Sequence, residues 1–161
     1  MASVRNAGWL ALLLPAALLG GALIGQYGFG LYPCEMCMWQ RWPHLAAIIL
    51  AFLALIMRSG PVSRLLVLAA AIAIMVSGLI GGFHAGVEYG WWEGLTSCAT
   101  NIPADGNMLD SIMNAPLVRC DVAPWSLFGI SLAGYNFLLS VSGAILILVM
   151  LAGQRKDADH V

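Results

Sequence analysis

The chain has 161 residues, of which 61% are hydrophobic and 9% are charged, and its formal net charge at pH 7 is -1. A soluble domain carries about 25% charged residues, so this composition excludes an ordinary soluble fold and places a single domain in a membrane. The near-neutral charge leaves no basic surface of the kind that binds nucleic acid, and we expect no nucleic-acid partner.

Four apolar segments approach the roughly 20 residues that a membrane-spanning helix needs. We therefore predict an all-α membrane protein, a four-transmembrane-helix bundle that forms one domain over residues 1–161. The predicted spans are about 8–31, 37–57, 65–83 and 126–151. The remaining segments are outer loops at about 32–36 and 84–125, a short inner turn, and a tail at 152–161 that we expect to be disordered from Gln154.

The first apolar segment has two interpretations. Arg5 precedes it and it contains several small residues, which are features of a cleaved signal peptide. However, its apolar run is long and leads into aromatic residues typical of a membrane interface, namely Tyr27, Phe29 and Tyr32. The aromatic residues favour a retained span.

The basic residues predict the orientation of the spans. Of the seven Lys and Arg residues in the chain, five flank the spans on one side: Arg5, Arg58, Arg64, Arg155 and Lys156. The positive-inside rule makes that side cytoplasmic. Both termini are then cytoplasmic, and the outer loops lie on the opposite side of the membrane.

A Cys-x-x-Cys pair, Cys34 and Cys37, lies where the first span ends and the second begins. Such a pair closes a small, readily reduced disulfide, and a nearby cation or a helix N-terminus favours the thiolate. We expect the second helix to begin near Cys37 and to continue through Pro43, because a helix that began at Pro43 would be too short to span. Cys37 and Arg41 then share one helix face at positions i and i+4.

The long outer loop carries the other two cysteines, Cys98 and Cys120. Between them, apolar residues recur at a spacing that predicts a short amphipathic helix on the membrane surface: Met108, Leu109, Ile112 and Met113. We expect the acidic residues of this loop to form a solvated face: Glu88, Glu93, Asp105 and Asp110.

All four cysteines lie in the outer loops or at their edges. An even number of cysteines on the oxidising side of a membrane favours disulfides over a metal site, and no second ligand pair completes a zinc site, so we predict no metal. Four cysteines allow three connectivities. The set Cys34–Cys37 with Cys98–Cys120 is favoured, although exchange between the two pairs is itself a plausible function.

Two cysteine pairs on one face can pass a disulfide between them by thiolate attack. The loop pair is placed to meet a soluble dithiol protein, whereas the Cys34–Cys37 pair lies nearer the bilayer and is placed to meet a lipid-soluble acceptor. The predicted electron path runs from a protein dithiol through the loop pair and the Cys34–Cys37 pair to a membrane quinone. The alternative is a non-catalytic four-span scaffold whose disulfides are structural.

Three polar residues near the pair are candidate quinone-binding residues. Arg41 is costly near a bilayer, and its alternative interpretation is a charge that reaches the interface along its alkyl stem. His84, at the outer end of the third span, is a candidate for a hydrogen bond to a quinone or for proton transfer. His44 is either a quinone ligand or an interfacial residue, and the interfacial interpretation is preferred for His44 alone.

The motif Cys34-Glu35-Met36-Cys37 with Arg41, the second cysteine pair, and the segment 120–136 before the last span together resemble the DsbB family. This resemblance implies a protein-disulfide oxidoreductase of the bacterial inner membrane, with the cysteines on the periplasmic side. It also implies a DsbA-like periplasmic thioredoxin-fold partner, which acts in protein folding, and ubiquinone or menaquinone as the electron acceptor.

The resemblance further implies roles for single residues. Cys98 forms the mixed disulfide with the partner, and Cys120 then attacks Cys34. Cys37 is released as a thiolate beside the quinone, which Arg41 holds. His84 corresponds to the quinone-proximal histidine of the family by its place at the end of the third span.

Two features of the sequence bear on the branch and on the alternatives. Glu35-Met36 between the thiols and the run Gly90-Trp91-Trp92 look closer to the DsbI-like branch, which predicts a specialised rather than a general DsbA-like partner. A vitamin K epoxide reductase-like thiol enzyme is a further alternative. In that family, however, the active pair belongs to the last core helix, whereas Cys34–Cys37 opens the second.

Overall fold

The computed structural model describes residues 2–57, 60–95, 99–100 and 117–159. Its main elements are four long helices: α1 Ala2–Phe29, α2 Glu35–Ile56, α3 Pro61–Glu88 and α4 Leu132–Asp159. Each of the four contains a segment that is long and apolar enough to cross a membrane. The predicted fold class, an all-α membrane bundle, is therefore confirmed.

Helix α2 begins at the cysteine pair. Cys34 is its N-cap, and the Cys34 sulfur accepts a hydrogen bond from the backbone N–H of Cys37. The helix then continues through Pro43, as predicted. A proline inside a membrane helix is tolerated because neighbouring helices and side chains satisfy the freed backbone groups.

Helix α3 extends beyond the predicted end of the third span at Phe83 and reaches Glu88. The additional turn is buried, and Gly90 then adopts a φ of 71°, the left-handed conformation that commonly ends a helix. The expectation that Glu88 lies on a solvated loop face is wrong, because its side chain is only 2% exposed. The polar residues His84 and Glu88 ended the apolar run in the sequence without ending the helix.

The predicted start of the fourth span at Ser126 is also wrong. Residues 126–131 form a hairpin in which β3, Ser126–Leu127, pairs antiparallel with β4, Ile130–Ser131. Phe128 and Gly129 have φ values of 50° and 78°, the left-handed pair that a tight two-residue hairpin turn requires. Helix α4 therefore begins at Leu132.

Two further predictions concern the segments outside the spans. The tail, predicted to be disordered from Gln154, is helical as far as Asp159. The amphipathic helix predicted around Met108–Met113 lies outside the described residues, as does Cys98. On either side of that gap, β1, Ala99–Thr100, pairs antiparallel with β2, Leu117–Val118.

The core of the bundle is built from small side chains. Helix α3 packs against α2 and α4, and α1 packs against the same two helices. The largest buried cluster consists mainly of alanine: Ala7, Ala11, Ala47, Ala51, Ala54, Val67, Ala70, Ala71, Ile74, Ala144, Ile147 and Leu151. Small residues allow membrane helices to approach closely, so dispersion contacts rather than large apolar side chains hold these helices together.

The closeness of α3 and α4 at Gly78 leads to a stability prediction. A Cβ atom at Gly78 would lie 2.9 Å from Val141 Cγ2 and 3.2 Å from the Val141 backbone nitrogen. Gly78→Ala is therefore expected to destabilise the bundle by about 1–3 kcal/mol through overpacking. Thermal unfolding in detergent measures this, with Gly20→Ala as the control, because nothing lies within 4 Å of a Cβ at Gly20. An equal melting temperature for the two variants would contradict close α3–α4 packing.

Candidate functional site

Three segments converge at one end of the bundle and bring cysteines together. A small buried cluster there contains Cys34 at the start of α2, Val87 at the end of α3, and Cys120 after β2. Cys34 is 3% exposed and Cys120 is 6% exposed. At the opposite end of α3, Arg64 donates a hydrogen bond to the carbonyl of Leu151 in α4. The cysteine cluster and this basic end are therefore separated by the length of α3.

Cys34 and Cys37 are thiols in this structure, with their sulfur atoms 2.8 Å apart. A disulfide bond is about 2.05 Å long, so the pair needs only a small movement to close. The Cys34 thiol donates its hydrogen bond to the Cys37 sulfur. This hydrogen bond, together with burial, raises the pKa of Cys34 well above its ordinary value. In the reduced pair, Cys34 is therefore the hydrogen-bond donor and Cys37 is the acceptor.

Cys120 lies beside this pair. The Cys120 and Cys34 sulfur atoms and a ring nitrogen of His84 lie within 4.8 Å of one another. On the adjoining surface, Arg119 Nε donates to Asp121 Oδ1 over 2.8 Å, and this ion pair holds the pKa of Asp121 below its usual range. The arrangement places the Cys120 sulfur within a short movement of the Cys34 sulfur.

His84 is 1% exposed and contacts both α2 and the Cys120 segment. Its Nδ1 is 2.9 Å from Nε2 of Gln40, and its Nε2 is 3.2 Å from the backbone oxygen of Cys120. The same Nε2 lies 3.6 Å from the Cys34 sulfur and 3.8 Å from Oε1 of Glu88. His84 thus lies between the cysteines and an acidic residue.

A buried chain of amides continues from His84 into the bundle. Asn136 Nδ2 donates to Gln40 Oε1 over 2.8 Å, and the Asn136 Oδ1 atom is 2.9 Å from His44 Nε2. The sequence favoured an interfacial position for His44. That prediction is wrong, because His44 is 3% exposed and is hydrogen-bonded to these buried amides. We call His44, Asn136, Gln40 and His84 the amide relay.

Next to the cysteine pair, the helices enclose a cavity of about 280 Å³. Its walls are mainly apolar and come from α1 and α4, among them Leu18, Gly21, Leu132 and Ala133. The polar residues that line it are fewer: Gln40, Arg41, His44, His84, Glu88 and Asn136. Cys37 also lines the cavity, so one thiol of the pair faces an apolar pocket with a small number of polar groups.

Arg41 lines this cavity together with Cys37, which confirms the prediction that the two residues share a helix face. Its guanidinium group also connects α2 to α1, because Nη1 donates to Gln26 Oε1 and Nη2 donates to the Ala22 carbonyl over 3.4 Å. A guanidinium group has five N–H donors, so these two contacts leave others available. Arg41 is therefore a half-buried cation that α1 holds at the cavity wall.

The cluster of Cys34, Cys120 and His84 contains the donor types of a zinc site. Its hydrogen bonds do not suit a metal, however. Gln40 Nε2 faces His84 Nδ1, and Nε2 of the ring, the atom nearest the sulfurs, faces a carbonyl oxygen and so carries the proton. A metal ligand needs a bare nitrogen at that position, so the arrangement favours thiol chemistry.

The structure brings together most of the residues that the sequence singled out. Cys37, Arg41, His44 and His84 line one cavity. Cys34 lies against both Cys37 and Cys120 just outside it. Sequence reasoning did not identify Gln40, Asn136 and Glu88 as site residues. A polar residue within an apolar span was the available signal for Gln40 and Asn136, since such residues face the bundle interior.

These features define a class: a multi-pass helical membrane protein with a buried thiol cluster beside an apolar cavity. Comparison with known proteins identifies the family. The family model described as disulfide bond formation protein DsbB matches residues 4–150. The chain belongs to the DsbB family and is thus a disulfide oxidoreductase that acts in disulfide bond formation.

Individual relatives agree with this assignment. Disulfide bond formation protein B of Chromohalobacter salexigens is 34% identical over 146 residues, which cover 89% of this chain and 77% of the relative. Disulfide bond formation protein B 2 of Pseudomonas syringae pv. syringae is 29% identical over 157 residues, which cover 94% and 90% of the two chains. An uncharacterized protein of Rickettsia prowazekii, RP370, is 28% identical over 128 residues, which cover 76% and 73%. No solved structure matches the chain at a significant level.

Proposed function

We propose that this protein reoxidises a DsbA-like periplasmic dithiol protein and passes the electrons to a membrane quinone. The observation that carries this proposal is the apolar cavity beside Cys37, with Arg41 and His84 in its wall. A thiol that faces an apolar cavity inside a membrane bundle is suited to a lipid-soluble acceptor rather than to a soluble one.

The cavity fits the head group of a quinone. Ligand pockets are mostly apolar with a few placed polar groups, and about 280 Å³ is near the lower end of their size range. This volume suits a small planar ring better than a ring with a long tail. Arg41 has N–H donors left that would hold a ring oxygen. The two histidines, His44 and His84, also line the wall, but their Nε2 atoms already face Asn136 Oδ1 and the Cys120 carbonyl.

The quinone supplies an acceptor for two electrons and two protons, which balances the oxidation of one partner dithiol to a disulfide. The protein's own residues carry out the exchange that precedes it. One partner thiolate attacks Cys98, so that a partner–Cys98 mixed disulfide forms, the Cys98–Cys120 bond breaks, and the Cys120 thiolate is released. The second partner thiolate then attacks its own neighbour in the mixed disulfide, which closes the partner disulfide and releases the Cys98 thiolate. Cys120 then attacks Cys34, so that the Cys34–Cys120 bond forms, the Cys34–Cys37 bond breaks, and the electron pair leaves on Cys37.

Two structural features favour Cys37 as the leaving sulfur. The first is the polarity of the thiol pair, in which Cys34 donates to Cys37. The second is position, because Cys37 lies in the first turn of α2, where the helix N-terminus stabilises negative charge. Arg41, one turn further along α2, adds a cation on the same face.

The β1–β2 ladder supports the proposed loop pair. Ala99, which follows Cys98 in the chain, pairs with Val118, two residues before Cys120. This pairing brings the chain next to Cys98 close to the chain next to Cys120. The basic residues at the opposite end of the bundle support a periplasmic position for the cysteines in the inner membrane, with both termini in the cytoplasm.

Quinone reduction by the purified protein in detergent tests the proposed function. The electron donor is a reduced thioredoxin-fold dithiol protein, and the absorbance of ubiquinone or menaquinone is followed. We expect turnover that is absent in Cys37→Ser. A lack of turnover with both quinone classes, with all cysteines stably oxidised, would favour the scaffold alternative. Reduction of a quinone epoxide by the protein, with the same dithiol donor, would favour the vitamin K epoxide reductase-like alternative.

A further inference from the structure

The hydrogen bonds of the amide relay have one consistent direction. Backbone carbonyls, which only accept, fix the orientation of both amides: Gln40 Nε2 lies 3.3 Å from the Met36 oxygen, and Asn136 Nδ2 lies 3.2 Å from the Ser77 oxygen. These two nitrogens must therefore be donors. The amide oxygens face the other way. Gln40 Oε1 accepts from Asn136 Nδ2, and Asn136 Oδ1 accepts from Ser140 Oγ.

This direction determines the tautomer of His84. Since Gln40 Nε2 donates to Nδ1 over 2.9 Å, Nδ1 carries no proton in the neutral ring, and the proton lies on Nε2. A third backbone carbonyl agrees, because Nε2 lies 3.2 Å from the oxygen of Cys120. The same reasoning places a proton on Nε2 of His44, which faces the Asn136 Oδ1 acceptor over 2.9 Å.

The His84 N–H therefore points to the segment that carries Cys120. Its nearest acceptor is the Cys120 carbonyl at 3.2 Å, whereas the Cys34 sulfur and Glu88 Oε1 are more distant, at 3.6 Å and 3.8 Å. All of these groups are buried, so the hydrogen bond is shielded from competing water. The bond attaches the Cys120 segment to α3 at the point where Cys120 meets Cys34.

We propose that Gln40 and Asn136 are positioning residues that hold His84 as the Nε2–H tautomer, so that His84 docks the Cys120 carbonyl and keeps Cys120 against Cys34. In the exchange step, the Cys120 thiolate attacks Cys34 and the electron pair leaves on Cys37. His84 takes no proton in this step. The inference rests on the proposed function only in assuming that Cys120 attacks the Cys34–Cys37 disulfide. It assigns Gln40 and Asn136 to this thiol exchange rather than to quinone binding.

The tautomer is measured directly by nuclear magnetic resonance with isotope-labelled histidine. The chain has three histidines, so the spectrum is simple, and His160→Gln identifies the tail signal. We expect His84 and His44 to carry the proton on Nε2 in the wild-type protein. In Gln40→Met, the donor to Nδ1 is lost, and a signal from Nδ1-protonated His84 is expected. A bare Nε2 on His84 in the wild-type protein would overturn the proposal.

The rate of exchange is measured without partner or quinone. In a Cys98→Ser background, Cys120 is a thiol and Cys34–Cys37 is a disulfide, so release of the Cys37 thiol reports the exchange and is detected by alkylation and mass spectrometry. Gln40→Met is expected to slow the release by about tenfold, the effect of losing a buried hydrogen bond that positions a nucleophile. Asn136→Leu is expected to act in the same direction.

A third variant separates positioning from packing. Gln40→Glu presents a carboxylate to Nδ1, and a ring protonated at both nitrogens still donates from Nε2 to Cys120. Positioning therefore predicts that Gln40→Glu exchanges faster than Gln40→Met, whereas a packing role predicts the reverse, because methionine is apolar and similar in shape. The reverse order, or an unchanged rate in Gln40→Met, would overturn the proposal.

Matched serines provide the control. Ser77 donates to the backbone carbonyl of Gln40 over 2.8 Å, beside the amide relay. Ser63 donates to the backbone carbonyl of Ala54 over 3.0 Å, at the other end of α3. Ser77→Ala is expected to slow exchange, and Ser63→Ala to leave it unchanged. If the Cys98→Ser parent releases no Cys37 thiol at all, the proposed function and this inference both fail. If the parent exchanges but Gln40→Met does so equally fast, only the inference fails.

Discussion

Replacement of Cys34 with serine is expected to abolish sustained turnover while still permitting one oxidation of the partner per chain. Cys34 lies between the other two described cysteines, hydrogen-bonded to Cys37 over 2.8 Å and close to Cys120. Without Cys34 the loop pair can still accept the electrons of one dithiol, but Cys120 then has no disulfide to attack. We expect the steady-state rate to fall by about 1,000-fold or more, as for loss of a covalent catalytic group.

The corresponding change at Cys120 distinguishes disulfide transfer between two cysteine pairs from oxidation by a single reactive pair. Cys120→Ser removes the loop disulfide and the attacking sulfur together, so neither sustained turnover nor the single oxidation is expected. The measurement is the number of donor dithiols oxidised per chain, first without quinone and then with it. Membrane insertion and thermal stability of the variants serve as the folding control. Normal sustained oxidation by either variant would exclude disulfide transfer between the two pairs and favour one self-sufficient pair.

The sequence predicted the existence of the four spans better than it predicted the helix ends. Apolar length alone identified the four spans, and the i, i+4 spacing correctly placed Cys37 and Arg41 on one face. The end of α3 was missed because hydropathy falls at His84 and Glu88, which are polar but buried. The hairpin before α4 was missed because Phe128, rather than a common turn residue, adopts the left-handed conformation.

The amide relay could not be predicted from the sequence, because its hydrogen bonds join distant positions. Gln40 and Asn136 are 96 residues apart in the chain, and Gln40 and His84 are 44 apart. Each polar residue alone has a plausible interfacial or helix-packing explanation. Only the packing of α2, α3 and α4 around Gly81 brings the three together. A Cβ atom at Gly81 would lie 3.0 Å from Asn136 Nδ2 and 3.2 Å from Gln40 Oε1.

The Michaelis constant for quinone is expected to rise by about tenfold to a hundredfold in Arg41→Ala, with exchange between the loop pair and the partner unchanged. The reason is that Arg41 lines the cavity beside Cys37, and a buried hydrogen bond to a charged group contributes about 1.5–3 kcal/mol. Cys120 is not among the residues that line the cavity with Arg41, so donor oxidation in a single turnover serves as the internal control.

Two further variants determine whether the position or the charge of the Arg41 guanidinium group lowers the Michaelis constant for quinone. Gln26→Leu removes the α1 partner of the guanidinium group and leaves the charge in place, so a smaller rise in the Michaelis constant is expected. Arg41→Lys keeps the charge but not the planar fork that can contact α1 and the cavity together, so its rise is expected to lie between those of Gln26→Leu and Arg41→Ala. Steady-state assays over a range of quinone concentrations give the three values. An unchanged Michaelis constant in Arg41→Ala would leave Arg41 as a cation that only connects α2 to α1.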